Sequence, residues 1–419
     1  DKVYFISNGN DSEGLGYIQM SQIDISNGKK LSENEPLWYG TGGRYIEAPH
    51  MYKFGDYYYL LNAEGGTEYG HMVNYARSKN IHGPFEPCPL NPVLTNRNLG
   101  GYQLQGAGHG DVLQAADGSW WFCHLAFRQI DRYMPFHHLG RETCIEPVIW
   151  KDDWFFIGTP VAKTGVCGDK VSSGYNQKQG YGNALLEVEC PASHKFTPQN
   201  FNYEKTFKNL SVKNDWCYLC NPHLENYKLS QKLFELTATE LTIDTQEDSP
   251  TFVGVRQCEF FEETECDVRL ISSCDCTSNM QKAEAGLSVY MDSNHHYDLF
   301  ITEKKGSFFA ECAVTIGPAK QILGSIELAG IEASDVNGKC GSDRKSVSVR
   351  LKISSSPYCY IFSVEHNGKT EKIGQADSRY LSSEVACGFT GVFTGLYAQK
   401  KGSAEVKAEF TNLKIVHKE

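Results

Sequence analysis

The stretch Gly42-Gly43-Arg44-Tyr45-Ile46-Glu47-Ala48-Pro49-His50-Met51-Tyr52 sets one carboxylate among aromatic and apolar residues, ahead of a proline and at the start of a strand-like run. A carboxyl group in such surroundings loses solvation, which raises its pKa and keeps it protonated near neutral pH. In that state it can hand a proton to a leaving oxygen. The competing assignment is a structural Glu47 paired with Arg44 or a backbone donor, the commoner fate of an isolated carboxylate. Cys217-x-x-Cys220 and Cys274-x-Cys276 have the outline of metal knuckles. No second pair and no His stands at ligand spacing, so plain thiols are expected at both.

Glu47 opens the first half of a hairpin, with His50 to Lys53 and Tyr57 to Leu61 flanking Phe54-Gly55-Asp56. The pattern returns at Asp111-Val112-Leu113 and Trp120-Trp121-Phe122, and again at Val148-Ile149-Trp150 and Trp154-Phe155-Phe156-Ile157. Tyr17 to Met20 pairs with the run before it. Hairpins recurring with such similar content suggest a toroidal repeat of small antiparallel sheets. From Lys163 to Lys195 strand pattern is scarce apart from Ala184 to Val188, and Pro191 and Pro198 mark a boundary near residues 191–203. Beyond it, period-2 alternation in Phe252–Arg256, Cys266–Leu270, Ala285–Tyr290, Tyr297–Ile301, Ser346–Leu351 and Tyr358–Val364 suggests a two-sheet sandwich.

At 419 residues two domains are the natural expectation, and 23 Tyr, 22 Phe and 39 Gly suit strands and tight turns better than helix bundles. The formal net charge of −11 argues against nucleic acid and is compatible with a neutral substrate. No segment is long and apolar enough to cross a membrane as a helix, and the first residues do not form a signal peptide. The 15 cysteines and the sequons at Asn10 and Asn209 leave the compartment open, cytoplasmic or secreted.

Taken in order, Gly42 to Tyr52, Leu60 to Tyr69, Ala76-Arg77-Ser78, Asn91 to Thr95, Gly106 to Asp111 and Leu139 to Thr143 resemble the β-xylosidase branch of glycoside hydrolase family 43. Arg256-Gln257 and Gly388-Phe389-Thr390-Gly391 resemble that branch's second domain. The resemblance implies an all-β chain: a five-bladed β-propeller, here partial, over residues 1–196, then a concanavalin A-like jelly-roll β-sandwich over 197–419. It implies inverting hydrolysis of β-1,4-xylosides from the non-reducing end of xylo-oligosaccharides, with a general acid, a general base and a third carboxylate that tunes the acid.

By the same resemblance Glu47 matches the general acid. His109 resembles a histidine near the propeller axis that orients a carboxylate or touches calcium through water; a buried, backbone-satisfied His is the alternative. Arg141 resembles an arginine that hydrogen-bonds sugar hydroxyls, with an ion pair to Glu142 or Glu146 as the alternative. Thr67 lines the sugar subsite or is a turn residue; Phe389 is lent to the pocket or belongs to the sandwich core. No cofactor is required.

One departure from the pattern is large. Asp1 to Val3 resembles the stretch just after the tuning motif, so the base and the tuning Asp are expected outside this chain, along with about two blades. The expectation is therefore part of a β-xylosidase, nearly inactive alone, with exposed strand edges that favour association, as a homo-oligomer or with a missing N-terminal segment. Two alternatives accompany it. One is an α-L-arabinofuranosidase or dual-activity enzyme acting on arabinosides. The other is a non-catalytic carbohydrate-binding protein using Tyr290, Tyr297 and Phe389 as stacking platforms.

Overall fold

The structure, a computed structural model, describes residues 2–158, 182–188, 202–273, 282–304, 307–328, 344–403 and 405–417. Pro191, Pro198, Cys274, Cys276 and most of Lys163–Lys195 lie outside the described residues. Two compact units are present, Asp1–Pro135 with Arg141–Thr197, and Phe136–Gly140 with Pro198–Glu419. No helix among the described residues is long and apolar enough to cross a membrane.

The first unit holds three four-stranded antiparallel sheets in sequence order. They comprise β1 (Val3–Asn10), β2 (Gly16–Asp24), β3 (Lys29–Lys30) and β4 (Glu35–Trp38); then β5 (Glu47–Phe54), β6 (Tyr57–Glu64), β7 (Met72–Ser78) and β8 (Glu86–Pro87). The third has β9 (Leu104–Gln114), β10 (Trp120–Arg128), β11 (Glu142–Lys151) and β12 (Trp154–Ile157). These are the hairpins expected from the repeat, each turned by residues that tolerate its backbone. Asp152 and Asp153, with φ of 54° and 56°, make the β11–β12 turn, a left-handed pair that Asp accepts and most residues resist. Tyr59 and Arg77 donate to the carbonyls of that turn and pin it to the middle sheet.

The middle sheet is packed on both faces. Ile46, Leu60, Ala76 and Phe85 meet Ile18 and Trp38 of the first sheet. Tyr59, Leu61, Val73 and Tyr75 meet Leu104, Val112, Phe122 and Phe155 of the third, and the Tyr75 and Phe155 rings stack at 3.9 Å. That is why β6 is a nearly continuous buried run rather than an alternating one. The outer sheets are packed on one face only: Phe5 is 56% exposed, and Leu113, Ile145 and Ile149 are 44% exposed.

Ala184–Val188, expected as a strand, is not one. Its backbone donors go to side chains instead: Ala184 N–H to Asn96, Leu185 N–H to Glu146 and Leu186 N–H to the Tyr102 hydroxyl. With no neighbouring strand on those groups, no ladder forms.

The second unit is two antiparallel sheets. One runs β15 (Tyr227–Leu229), β16 (Leu233–Thr237), β27 (Val406–His417), β18 (Glu263–Ser273), β23 (Arg344–Ser355), β24 (Cys359–His366) and β25 (Lys369–Asp377), with β13 (Tyr203–Thr206) also on β27. The other runs β14 (Cys217–Tyr218), β17 (Phe252–Arg256), β26 (Phe393–Lys401), β19 (Lys282–Asp292), β20 (His295–Lys304), β21 (Ser307–Ile316) and β22 (Ala319–Glu327). Val268, Leu270, Leu287, Val289, Leu299, Ile301, Val349 and Leu351 interdigitate between them, as the period-2 pattern requires.

Phe136–Gly140, between β10 and β11 in the chain, belongs to this second unit. Its carbonyls accept from Ser383 N–H, Val392 N–H and Arg256. Glu384 of the single-turn helix α1 (Ser383–Ala386) accepts from both the backbone and the ring of His137. Gly140 has no room for a Cβ, which would sit 2.3 Å from Gly391 N.

Candidate active site

Glu47 is the first residue of β5, paired with Ala63 of β6, and a bulge separates it from the regular ladder that resumes at His50. On either side stand non-glycine residues with left-handed backbones, Tyr45 (φ 57°) and Ala48 (φ 51°). Each such residue costs about 1 kcal/mol or more, so the surroundings must over-determine it. They do so through Glu64, whose fully buried carboxylate accepts from Thr41 N–H, the Thr41 hydroxyl, Gly43 N–H and the Asn62 amide at 2.8–3.1 Å. Gly65 N–H donates to Arg44 O at 2.7 Å. Arg44 pairs with Glu68 and lies over the Tyr45 ring. Glu47 itself is half-buried.

His109, on β9, also has a left-handed backbone, with φ of 49°. Its side chain is partly exposed, which excludes the buried, backbone-satisfied alternative. Desolvation lowers its pKa against the pull of the Glu47 carboxylate, and His50, Arg141 and Asp111 also act on it. Glu47 and Arg141, read separately from the sequence, therefore each lie within electrostatic reach of His109. The buried, backbone-bonded histidine at this end is His71, which sequence reasoning missed, and only its Nδ1 is bonded. It is fully buried, with Nδ1 3.0 Å from Gly106 O, and burial pulls its pKa down to about 4. Gly108 lacks a side chain because the His71 ring occupies that space.

Asp111 lies between His50 Nδ1 at 2.9 Å and the Tyr52 hydroxyl at 2.5 Å, tying β9 to β5 just beyond the carboxylate. Arg141 immediately precedes β11. Of its two suggested partners, Glu142 is gripped by the Arg128 fork at 2.9 Å, and Glu146 accepts from Leu185 N–H. Thr67 occupies the turn Gly65–Gly70, which leads from Glu64 to His71. Phe389, in the second unit, is 55% exposed and so is not sandwich core.

Tyr290 and Tyr297 are buried at 7% and 0% exposure. They cannot serve as the stacking platforms expected of a binding module. Among the described residues no three His, Cys, Asp or Glu side chains converge to ligate a metal directly. Beside His109 in particular, the described residues offer no direct calcium ligand set.

Residues 1–155 match the family described as Glycosyl hydrolases family 43, and residues 204–415 match the Beta xylosidase C-terminal Concanavalin A-like domain. A Non-reducing end alpha-L-arabinofuranosidase BoGH43B of Bacteroides ovatus is 34% identical over 405 residues, covering 96% of this chain and 68% of the relative. The chain belongs to glycosyl hydrolase family 43. A second relative, the Xylan 1,3-beta-xylosidase of a Vibrio species, is 40% identical over 424 residues, covering 94% of this chain and 69% of that one. The solved structure titled Bacteroides ovatus Xyloglucan PUL GH43B superposes with a TM-score of 0.78 at 31% identity, over 99% of this chain and 73% of that chain. The xylan beta-1,4-xylosidase of Bacillus halodurans reaches a TM-score of 0.80 at 23% identity, over 100% of this chain and 74% of that one, a likeness of fold. The family 43 chain is a glycosidase, with a propeller-like domain and a β-sandwich.

Proposed function

We propose that this glycosidase cleaves non-reducing-end β-1,4-xylosides with inversion, with Glu47 as general acid. The observation that supports the proposal is the strained, Glu64-braced entry to β5 at Glu47, a carboxylate within electrostatic reach of His109, on which Arg141 also acts. Such strain is characteristically spent on a functional side chain. The Arg141 fork suits sugar hydroxyls. Thr67 and Phe389 are further substrate contacts under this proposal, and residues 1–196 and 197–419 are its two domains.

Inversion needs a base about 6.5–9.5 Å from the acid, with room for water between them. The site's other carboxylates are engaged: Asp111 by His50 and Tyr52, Glu64 by the turn, Glu68 by Arg44. In this proposal the base and the tuning carboxylate come from polypeptide beyond these 419 residues, and the open faces carrying Phe5 and Ile149 suit further blades.

A missing base costs roughly 10²–10⁴-fold, so the chain alone turns over aryl β-xylosides slowly. Azide should accelerate aryl release and yield the α-xylosyl azide, the product of attack from the opposite face. A β-azide, or unchanged rates with Glu47→Gln, contradicts the proposal. The second candidate is α-L-arabinofuranoside cleavage, favoured by the name of the Bacteroides ovatus relative. Comparing nitrophenyl xyloside with nitrophenyl arabinofuranoside, and β-1,3- with β-1,4-xylobiose, separates the activities.

A further inference from the structure

We infer that Glu64 is a positioning residue for Glu47, resting on the assignment of Glu47 as general acid. Glu64 ends β6, one residue past Ala63, which pairs with Glu47. Its carboxylate does not face solvent. It accepts two backbone N–H groups and one hydroxyl from Thr41 and Gly43, the turn that delivers the chain to Tyr45 and Glu47.

The turn is built around that carboxylate. A Cβ on Gly40 would lie 2.5 Å from Glu64 Oε1, and one on Gly43 would lie 2.6 Å from Oε2. At both positions the acceptor takes space that a side chain would need, together with Ile46 at Gly40 and Met72 at Gly43. The Asn62 amide donates to Oε1 from the strand side, so the group is held on both flanks. A buried charge with four donors is costly to disturb, since a neutral replacement strands some of them.

Glutamine is the informative substitution. It keeps size and one acceptor oxygen, but presents an NH₂ to donors that need an acceptor. The turn must then shift, and the left-handed Tyr45 and Ala48 lose what holds them. A displacement of this kind moves the proton donor relative to the leaving oxygen without removing any sugar contact. It should therefore lower kcat where protonation matters and leave KM nearly unchanged.

The test uses the whole chain with sodium azide as external nucleophile, on phenyl and dinitrophenyl β-xylosides. Azide nitrogen bonds to the anomeric carbon as the carbon–oxygen bond breaks. The electron pair leaves with oxygen, and for phenol Glu47 supplies the proton. Dinitrophenolate leaves without one. Glu64→Gln should lower kcat on the phenyl substrate about 10-fold or more and on the dinitrophenyl substrate less than about 3-fold, with both KM values within about 2-fold. Thr41→Val, which removes only the hydroxyl donor, should give a smaller loss of the same kind and guards against misfolding. Equal losses on the two substrates in both variants overturn the inference. If Glu47→Gln itself shows no leaving-group selectivity, or the unaltered chain releases neither aglycone, the acid assignment has failed and the inference falls with it.

Discussion

The Tyr52 hydroxyl donates to Asp111 at 2.5 Å, joining the strand that begins with Glu47 to the strand that carries His109. Burial, and then the Asp111 carboxylate, push the Tyr52 pKa well up, so the phenol stays a donor throughout the physiological range. Tyr52→Phe keeps the ring in its stack with His50 and Phe54 and removes only the link. It should cost about 1 kcal/mol and weaken turnover through looser β5–β9 registration. Denaturant unfolding with aryl xyloside kinetics checks both effects.

Acidity acts on the first unit in two opposed ways. His71 and His124 are depressed to about 4 by burial, so their contribution is whole above about 6.5 and is lost as pH falls through 4. Glu146 is raised to about 8 by burial, so its contribution is whole below about 4.5 and is lost as pH rises through 8. Two protons against one leave stability rising up to about pH 6.5 and falling beyond it. Glu146→Gln should flatten the alkaline limb, by about 2 kcal/mol between pH 6.5 and 8. Unfolding monitored by tryptophan fluorescence across that range decides it.

The second unit carries an alkaline weakness at His296. His296 is buried, which opposes its charge, but Asp298 at 2.8 Å and Asp244 at 3.0 Å outweigh burial and raise its pKa to about 9. Lys320 also pairs with Asp244, and the Tyr290 ring stacks on the imidazole. The contribution is complete below about 6.5 and is lost as pH climbs through 9, amounting to about 3 kcal/mol at most. His296→Gln should be less stable at pH 6 and show no further loss toward pH 9 in thermal melts.

Glu384 accepts both the backbone N–H and the ring of His137. Glu384→Ala leaves those donors unmatched beneath the surface, a loss of about 1–3 kcal/mol. The strap Phe136–Gly140 should become a site of limited proteolysis, while a Glu384→Gln chain is cut more slowly than the alanine variant.

The legible parts of the sequence were those written in local periodicity. Hairpins around Gly55 and Asp152-Asp153 and the sandwich strands at Val268, Leu287 and Leu299 each carry their own turn residues or alternation. Glu47, His109 and Arg141 were found because their motifs resemble a family. Glu64 was passed over although it closes an apolar run beside Gly65-Gly66, because its purpose depends on a turn 21 to 23 residues earlier. The strap at Phe136–Gly140 left no signal of its docking in local periodicity, although Leu139 and Gly140 fall in a family-like motif. Its partners are Arg256, Ser383, Glu384 and Val392, and partners that distant leave no trace in spacing. Ala184–Val188 misled in the opposite sense, since an apolar run says nothing about which donors lie beside it.

The central claim is that Glu47 gives its proton to the leaving oxygen. The most direct measurement compares azide-assisted release of phenol and dinitrophenol from the two β-xylosides by the unaltered chain and by Glu47→Gln. The account predicts a loss of about 10²-fold or more on the phenyl substrate and under about 10-fold on the dinitrophenyl substrate. Equal losses on the two substrates would contradict it.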